Sequence, residues 1–173
     1  LARLGFSDAR IQALNPAMVF ASASGFGYSG PESSKAAYDM IIQARSGLMS
    51  ITGTEEGQTV RVGSSVADIV TGMYTAIGIL AALYRRNSTD TGARVDVAML
   101  DSTVSILENA IARYQASGTP PRPLGSRHPS ITPFESFRTR DGEIIIAAGN
   151  DRLFASLCRI IGKPELARDP QYS

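Results

Sequence analysis

The sequence predicts an α/β protein with a parallel sheet. The first support is the order of patterns near the start, where a short amphipathic helix, Ser7–Asn15, precedes an apolar strand, Met18–Ser24, and a glycine-rich loop, Gly25–Pro31. A helix, a strand and a glycine loop in that order are typical of the end of an αβ unit. The second support is composition, because 43% hydrophobic and 19% charged residues in a chain of 173 allow a sizeable core.

Two helices are predicted after the glycine loop. The first covers Ala37–Thr52 and ends near a glycine. The second begins near Ser64 or Ser65, either of which could cap it, and ends before the polar turn Asn87–Gly92. Its uncharged part, Ile69–Tyr84, is shorter than the roughly 20 residues that a membrane span needs. We therefore expect a buried helix in a soluble core and no membrane partner.

The remaining elements follow from alternation, turn residues and caps. Ala93–Leu100 alternates apolar and polar side chains, as a half-exposed strand does. Asp101 or Ser102 is then expected to cap a helix. Further along, two strands are joined by the hairpin turn Asp141–Gly142. The last predicted helix, Asp151–Gly162, is capped by its first residue and ended by its last.

A stretch rich in proline and glycine predicts a linker between two domains. We assign residues 1–118 to the first domain, 119–126 to the linker and 127–173 to the second domain. The pattern changes after the linker to a pair of strands followed by a helix. That change supports the boundary.

Composition excludes several classes of function. The formal net charge is +1 and no basic cluster is longer than Arg85–Arg86, so we expect no nucleic-acid partner. The single cysteine, Cys158, lies on the apolar side of a helix and favours a reducing compartment, hence a cytoplasmic location. His128 is the only histidine and has no neighbouring ligand in sequence. We predict that it hydrogen-bonds within a loop, and we expect no metal site.

The glycine loop satisfies the pattern GxGxxG from Gly25 to Gly30. In a dinucleotide site such a loop opens a helix whose N-terminus binds the pyrophosphate. Here Pro31 and polar residues follow the third glycine, so a dinucleotide site is not expected. Two roles remain for the loop, which are to bind another ligand or to turn the chain.

Asp68 is the one carboxylate at the head of the long uncharged helix. An aspartate near a helix N-terminus usually has a structural role, because free N–H groups and the helix dipole favour its charge. Two features favour chemistry instead: Ser64 and Ser65 already supply capping hydroxyls, and small neighbours leave room for a bound group. A carboxylate that is ionised at pH 7 in such a place could act as a covalent nucleophile.

Several sequence blocks occur in an order that is specific as a set. They are NPAMVFASASGFGYSGP, AYDMIIQARSGLMSITG, RVGSSVADIVTGMYTAIGILAALYRR, TGARVDVAMLDS and SRHPSITPFESFRTRDGEIIIAAGND. Together they resemble the family III CoA-transferases, which include formyl-CoA, succinyl-CoA and carnitine CoA-transferases, and the related α-methylacyl-CoA racemases. The resemblance runs from about Leu4 to Tyr172.

The resemblance implies a fold and a site. The implied fold is part of a Rossmann-like large domain followed by the start of a small α/β domain, in a family whose two subunits interlock as a homodimer. The block around Asp68 is similar to the one that bears the family's catalytic aspartate. The residues that match the family segment lying along the coenzyme A near the thioester are Ser24, Gly25, Phe26 and Gly27.

The resemblance also implies a reaction without a metal ion or ATP. Asp68 attacks an acyl-CoA thioester and forms an aspartyl anhydride. Coenzyme A then returns to give an aspartyl-CoA thioester, from which a small carboxylic acid takes over the CoA. The partners implied are therefore an acyl-CoA and a carboxylic acid.

Two alternatives to a transferase stay open. A racemase needs an acid/base pair, and in racemases a histidine lies in a segment that resembles Ala36–Asp39. Here that position is Tyr38, a substrate-proximal candidate whose ordinary pKa of about 10 suits a base poorly, which favours the transferase. We also expect the upstream half of the large domain to lie outside this chain. The second alternative is therefore a non-catalytic remnant that serves as an oligomerisation or binding module.

Overall fold

Two parallel strands form the centre of the first part of the chain. β1 (Val19–Ser24) pairs in parallel with β2 (Ala93–Ala98), in register from end to end. The parallel α/β arrangement predicted from the helix, strand and glycine loop is therefore confirmed. The helix before β1 is α1 (Asp8–Leu14), capped by Ser7, whose hydroxyl accepts a hydrogen bond from the N–H of Arg10.

The structure is a computed structural model that describes residues 4–172. It divides into two compact units, the first made of Leu1–Thr52 with Thr59–Arg122 and the second of Gly53–Gln58 with Pro123–Ser173. The division of the whole protein into a large domain, a linker and a small domain stays a prediction.

Four more helices complete the first unit. They are α2 (Asp39–Arg45), α3 (Val66–Thr89), α4 (Met99–Ser105) and α5 (Asn109–Ser117). The long helix α3 packs against both strands and against α2 and α4. It therefore links the two strands to α2 and α4.

A glycine lets α3 approach the sheet closely. A Cβ atom on Gly78 would lie 2.6 Å from Cγ1 of Val95 in β2, well inside van der Waals contact. A Cβ atom on Gly72, in the same helix, would have no heavy atom within 4 Å. The two glycines therefore have different roles, although both lie inside one helix.

This difference predicts opposite effects of the same substitution. Gly72→Ala should raise the free energy of unfolding by up to about 1 kcal/mol, because alanine is the better helix former. The free energy of unfolding of the Gly78→Ala variant should be about 1–3 kcal/mol lower than that of the Gly72→Ala variant, because the new methyl group overpacks against Val95. Urea denaturation of the chain measures both values. Equal stability of the two variants would contradict the close contact, and Val95→Ala should relieve the defect in Gly78→Ala.

The second predicted helix, α3, was expected to be buried in a soluble core, and that expectation is wrong for one side of it. Five apolar residues recur there at helical spacing and are between 53% and 83% exposed: Ile69, Met73, Ile77, Leu80 and Tyr84. We call them the α3 apolar face. α3 is also long and apolar enough to cross a membrane, with mean hydropathy 1.8, a property that core helices share. The absence of a membrane partner stays a prediction.

Two predicted helix ends are wrong because of single backbone conformations. α2 ends at Arg45 and a separate 3₁₀ turn follows at Met49–Ile51, so the helix predicted to Thr52 is interrupted. The interruption includes Gly47, whose φ of 91° is left-handed and incompatible with an α-helix. At its own end, α3 continues through the first part of the predicted polar turn and stops where Asp90 adopts a φ of 50°.

The helix after β2 also departs from the prediction. α4 begins at Met99, directly after the strand, so Asp101 and Ser102 lie inside the helix and do not cap it. The hydroxyl of Ser102 instead donates to the carbonyl of Ala98, one turn back. The helix breaks before α5, where Glu108 has a φ of 47°. Serine and threonine side chains that bond back to the preceding turn compete with the helix and favour such a break.

The second unit contains a hairpin and a helix. β3 (Phe134–Arg138) and β4 (Glu143–Ala147) pair antiparallel across the predicted turn, as expected. α6 (Asp151–Ile160) begins one residue after Asn150, whose side chain accepts a hydrogen bond from Leu153 N at 3.0 Å. The cap predicted at Asp151 is therefore wrong, because the amide side chain just before it reaches the free N–H group.

The lone cysteine and the lone histidine have the roles predicted for them. Cys158 is fully buried on α6. The Nδ1 atom of His128 accepts hydrogen bonds from the N–H groups of Ser130 and Ile131, at 3.2 and 3.1 Å. His128 therefore shapes its own loop. Within residues 4–172, no group of histidine, cysteine and acidic side chains could hold a metal ion.

Candidate active site

Asp68 lies in the first turn of α3. It is the third residue of the helix, after Val66 and Ala67, and it is exposed. Among the described residues, no hydrogen bond or ion pair of its carboxylate is formed. The dipole of the helix favours a negative charge at this position, and the residue is open to solvent.

The first turn of α3 is capped by a residue from another helix. Ser65 occupies the N-cap position, but neither its side chain nor that of Ser64 makes a capping hydrogen bond, so the predicted serine cap is wrong. Instead, the N–H of Ala67 donates to Oδ1 of Asp39 at 2.8 Å. Asp39 begins α2, and it is buried, with 9% of its surface exposed.

A second buried polar side chain supports this cap. Gln43 lies one turn after Asp39 on α2 and is completely buried. Its Nε2 donates to Oδ2 of Asp39 at 2.7 Å, and its Oε1 accepts from the N–H of Val62 at 2.8 Å. The segment that leads into α3 is thus bound to α2 by two side chains, whose own polar atoms are satisfied in turn.

The glycine loop is closed by the residue just before it and packed by its own first residue. The hydroxyl of Ser24 accepts a hydrogen bond from Gly27 N at 3.1 Å. Gly27 has a φ of 81°, which favours glycine there. Gly25 is buried, and a Cβ atom on it would lie 2.6 Å from the Cβ of Ala37. The loop therefore rests directly on the backbone that leads into α2.

Charged side chains hold the far side of the same loop. The backbone N–H of Tyr28 donates to Oδ2 of Asp96 in β2 at 2.9 Å. The guanidinium carbon of Arg45 lies 4.9 Å from the centre of the Phe26 ring. Arg45 also bonds to Glu32, and hydrogen bonds from Lys35 and Arg45 lower the pKa of that carboxyl. The loop is thus held by polar groups of both a strand and a helix.

The structure brings together the three segments that carry the predicted site residues. Gly25 contacts Ala37, Tyr38 follows Ala37, and Asp39 hydrogen-bonds the residue before Asp68. Tyr38 is the N-cap residue of α2 and is 81% exposed. The glycine loop, the exposed phenol of Tyr38 and the exposed carboxylate of Asp68 thus belong to segments that meet near the junction of α2 and α3.

The sequence patterns did not predict Asp39, Gln43 and Asp96 as parts of this region. One signal could have found the first two: an aspartate and a glutamine stand four apart on either side of the apolar run Met-Ile-Ile, where such a pair can hydrogen-bond side to side in a helix. Asp96 gave no such signal, because its alternation marked it only as the exposed side of a strand.

Comparison with known proteins identifies similar chains. The model of the family described as CoA-transferase family III matches residues 1–173. An acetyl-CoA:oxalate CoA-transferase from Acetobacter aceti is 44% identical over 171 residues, which is 98% of this chain and 44% of that protein. A succinate–glutarate CoA-transferase from Agrobacterium fabrum is 42% identical over 173 residues, 100% of this chain and 43% of that protein.

Solved structures of similar proteins also superpose on this chain. A CAIB/BAIF family protein from Brucella suis superposes with a TM-score of 0.83 at 37% identity, over 99% of this chain and 46% of that one. A hypothetical protein from Mycobacterium tuberculosis gives a TM-score of 0.83 at 27% identity, over 99% and 45% of the two chains. The chain therefore spans less than half the length of the proteins it matches.

Proposed function

The chain belongs to CoA-transferase family III, and from that premise we propose that it carries the nucleophile of an enzyme that moves CoA between an acyl-CoA and a carboxylic acid. The observation that carries the proposal is the state of Asp68. It is exposed in the first turn of α3, while the buried Asp39 takes over the capping of that turn. A carboxylate that is not needed as a cap can serve as a nucleophile.

The proposed reaction begins with two exchanges on Asp68. A carboxylate oxygen attacks the thioester carbonyl of the donor, the C–S bond breaks, and CoA leaves as the thiolate. The mixed anhydride that remains joins Asp68 to the donor acyl group. The thiolate then attacks the aspartyl carbonyl carbon, which releases the donor acid and leaves an aspartyl-CoA thioester.

The second half of the reaction repeats these exchanges with the acceptor. The acceptor carboxylate attacks the aspartyl thioester, which expels the thiolate and forms a new mixed anhydride. The thiolate attacks the acceptor acyl carbon, yields the product acyl-CoA and returns Asp68 as a carboxylate. Each step exchanges a thioester for an anhydride or the reverse, so neither ATP nor a metal ion enters the scheme.

The other predicted site residues have supporting roles in the proposal. The segment Ser24–Gly27 lies along the CoA near the thioester, where the absence of side chains on its glycines permits close approach of the backbone. Tyr38 lies near the reacting acyl group. A tyrosine there, in the place where racemases have a histidine, supports transfer over racemisation.

Trapping of the intermediate tests the proposal. The protein encoded by the complete reading frame is mixed with acetyl-CoA or succinyl-CoA in the presence of hydroxylamine. We expect the hydroxamate of Asp68, detected by mass spectrometry of the peptide that contains it. Absence of any modification at Asp68, together with deuterium uptake at the α-carbon of an acyl-CoA in heavy water, would instead support a racemase.

The proposal includes a homodimer in the cytoplasm. The α3 apolar face supports the homodimer, because it is an exposed apolar stripe that a second subunit could cover. Soluble proteins rarely leave such patches exposed to water. Light scattering during size-exclusion chromatography should give twice the mass of the complete protein. Failure to bind CoA in calorimetry, combined with a stable oligomer of this chain, would favour a non-catalytic binding module.

A further inference from the structure

The most unusual polar feature outside the predicted site is the buried pair of Asp39 and Gln43. They are 9% and 0% exposed, on a helix whose other buried residue is Ile42. A buried carboxylate is costly unless its oxygens accept hydrogen bonds, so a pair like this is expected to have a specific task. The hydrogen bonds of the pair show what that task is.

Among the described residues, every side-chain hydrogen bond of the pair, apart from the one within it, goes to the segment that leads into α3 or to its first turn. One carboxylate oxygen of Asp39 accepts from Ala67 N at 2.8 Å, and the other accepts from Nε2 of Gln43 at 2.7 Å. Oε1 of Gln43 accepts from Val62 N at 2.8 Å, and its Nε2 lies 3.4 Å from the carbonyl of Ser64. The two side chains therefore hold the backbone at Val62 and Ser64, before α3, and at Ala67, in the first turn of α3.

This arrangement has a chemical consequence for Asp68. A carboxylate near a helix start ordinarily accepts the free N–H groups itself, and such bonds stabilise the anion and lower its reactivity. Here the carboxylate of Asp39 accepts the hydrogen bond from the N–H of Ala67, the residue directly before Asp68. Asp68 keeps its place at the helix start without serving as the cap.

We propose that Asp39 and Gln43 are positioning residues, which cap α3 in place of Asp68 and fix the nucleophile relative to the glycine loop. The inference rests on the proposed function, in which Asp68 is the nucleophile. The placement of the nucleophile relative to the glycine loop follows from Ala37, which contacts Gly25 and lies two positions before Asp39. A rigid link of this kind sets the distance between the thioester, bound along the loop, and the attacking oxygen.

The test exploits the chemistry of the pair. In Asp39→Asn the amide can accept from Ala67 N with its oxygen, but its NH₂ then faces the NH₂ of Gln43. Reversal of the Gln43 amide relieves that conflict and breaks the bond to Val62 N. The single variant thus loses the bond between residues 39 and 43 in the first arrangement, and the bonds to Val62 N and to the Ser64 carbonyl in the second, although its volume is unchanged.

The double variant Asp39→Asn with Gln43→Glu restores the three hydrogen bonds of 2.7–2.8 Å and gives up only the 3.4 Å bond to the carbonyl of Ser64. The new glutamate accepts from the asparagine NH₂ with one oxygen and from Val62 N with the other, while the asparagine oxygen still accepts from Ala67 N. The charge moves by one helical turn, and both oxygens that carry it still accept a hydrogen bond. A pair that acts through its hydrogen bonds should therefore recover in the double variant.

The measurement is steady-state CoA transfer by the complete protein, with acetyl-CoA or succinyl-CoA as donor, corrected for the folded fraction from circular dichroism. We expect Asp39→Asn to lower kcat by about 10²-fold, with KM for the donor unchanged, since the nucleophile is misplaced and CoA binding is not. The double variant should recover most of that loss.

Three results would overturn the inference. They are an unchanged kcat in Asp39→Asn, a loss that disappears after correction for unfolded protein, or a folded double variant that is no faster than the single one. Asp68→Asn is measured beside them. If it retained transfer, the proposed function would fail, whereas an inactive Asp68→Asn with a normal Asp39→Asn would remove only the positioning role.

Discussion

Replacement of Asp68 by asparagine is expected to abolish CoA transfer while the protein stays folded. The amide cannot form the anhydride, so kcat should fall by at least about 10³-fold, as for loss of a covalent nucleophile elsewhere. Stability should change little, because the exposed carboxylate contributes only its interaction with the helix dipole, about 0.3–1 kcal/mol. Steady-state transfer and urea denaturation of the same preparation measure the two quantities.

A matched control lies in the same unit. Asp101 is also exposed and is also the third residue of its helix, α4, so Asp101→Asn makes the same change in the same local setting. It should retain full activity and lose a comparable, small amount of stability. Equal loss of transfer in both variants would point to a general effect of charge and not to a nucleophile at Asp68.

The second large effect is expected at Gly25. A methyl group there would lie 2.6 Å from the Cβ of Ala37, which is attached to the backbone and cannot rotate away. Gly25→Ala should therefore displace the loop or the segment that leads to Asp39. We expect kcat/KM for the acyl-CoA to fall by about 10²-fold, because both CoA and nucleophile shift. The free energy of unfolding should fall by about 1–3 kcal/mol from overpacking.

Exchange of the methyl group between the two positions tests this explanation. Gly25 does not have the left-handed φ that would exclude alanine, so Gly25→Ala with Ala37→Gly should restore both packing and kcat/KM. Recovery is measured by the same kinetics and the same denaturation curves. A double variant as defective as the single one would mean that the loop fails for a reason other than this contact.

Local signals in the sequence were sufficient for the elements whose ends depend on nearby residues. Ser7 caps α1 with its own hydroxyl, and the aspartate–glycine turn joins β3 to β4. His128 bonds within its own loop, as predicted. In each case the partner lies within a few positions in the chain, so composition and spacing carry the information.

The predictions that were wrong depend on backbone conformations or on partners that spacing does not reveal. α2 stops before Gly47, and Asp101 lies inside a helix that starts directly at the end of β2. Asp151 is not the cap of α6, because the preceding Asn150 reaches the free N–H group first. A one-residue choice between adjacent polar residues depends on backbone angles, which sequence patterns leave open.

Whether Asp68 caps its helix or is available for chemistry was a question that the sequence alone left open. The sequence determined that a carboxylate stands at the start of a long uncharged helix, and the ordered blocks resemble a family with a catalytic aspartate there. Only the tertiary structure decided which residue caps that helix. The capping residue, Asp39, lies 28 positions before Ala67, from whose N–H it accepts a hydrogen bond. A hydrogen bond over such a separation forms only after α2 packs against α3.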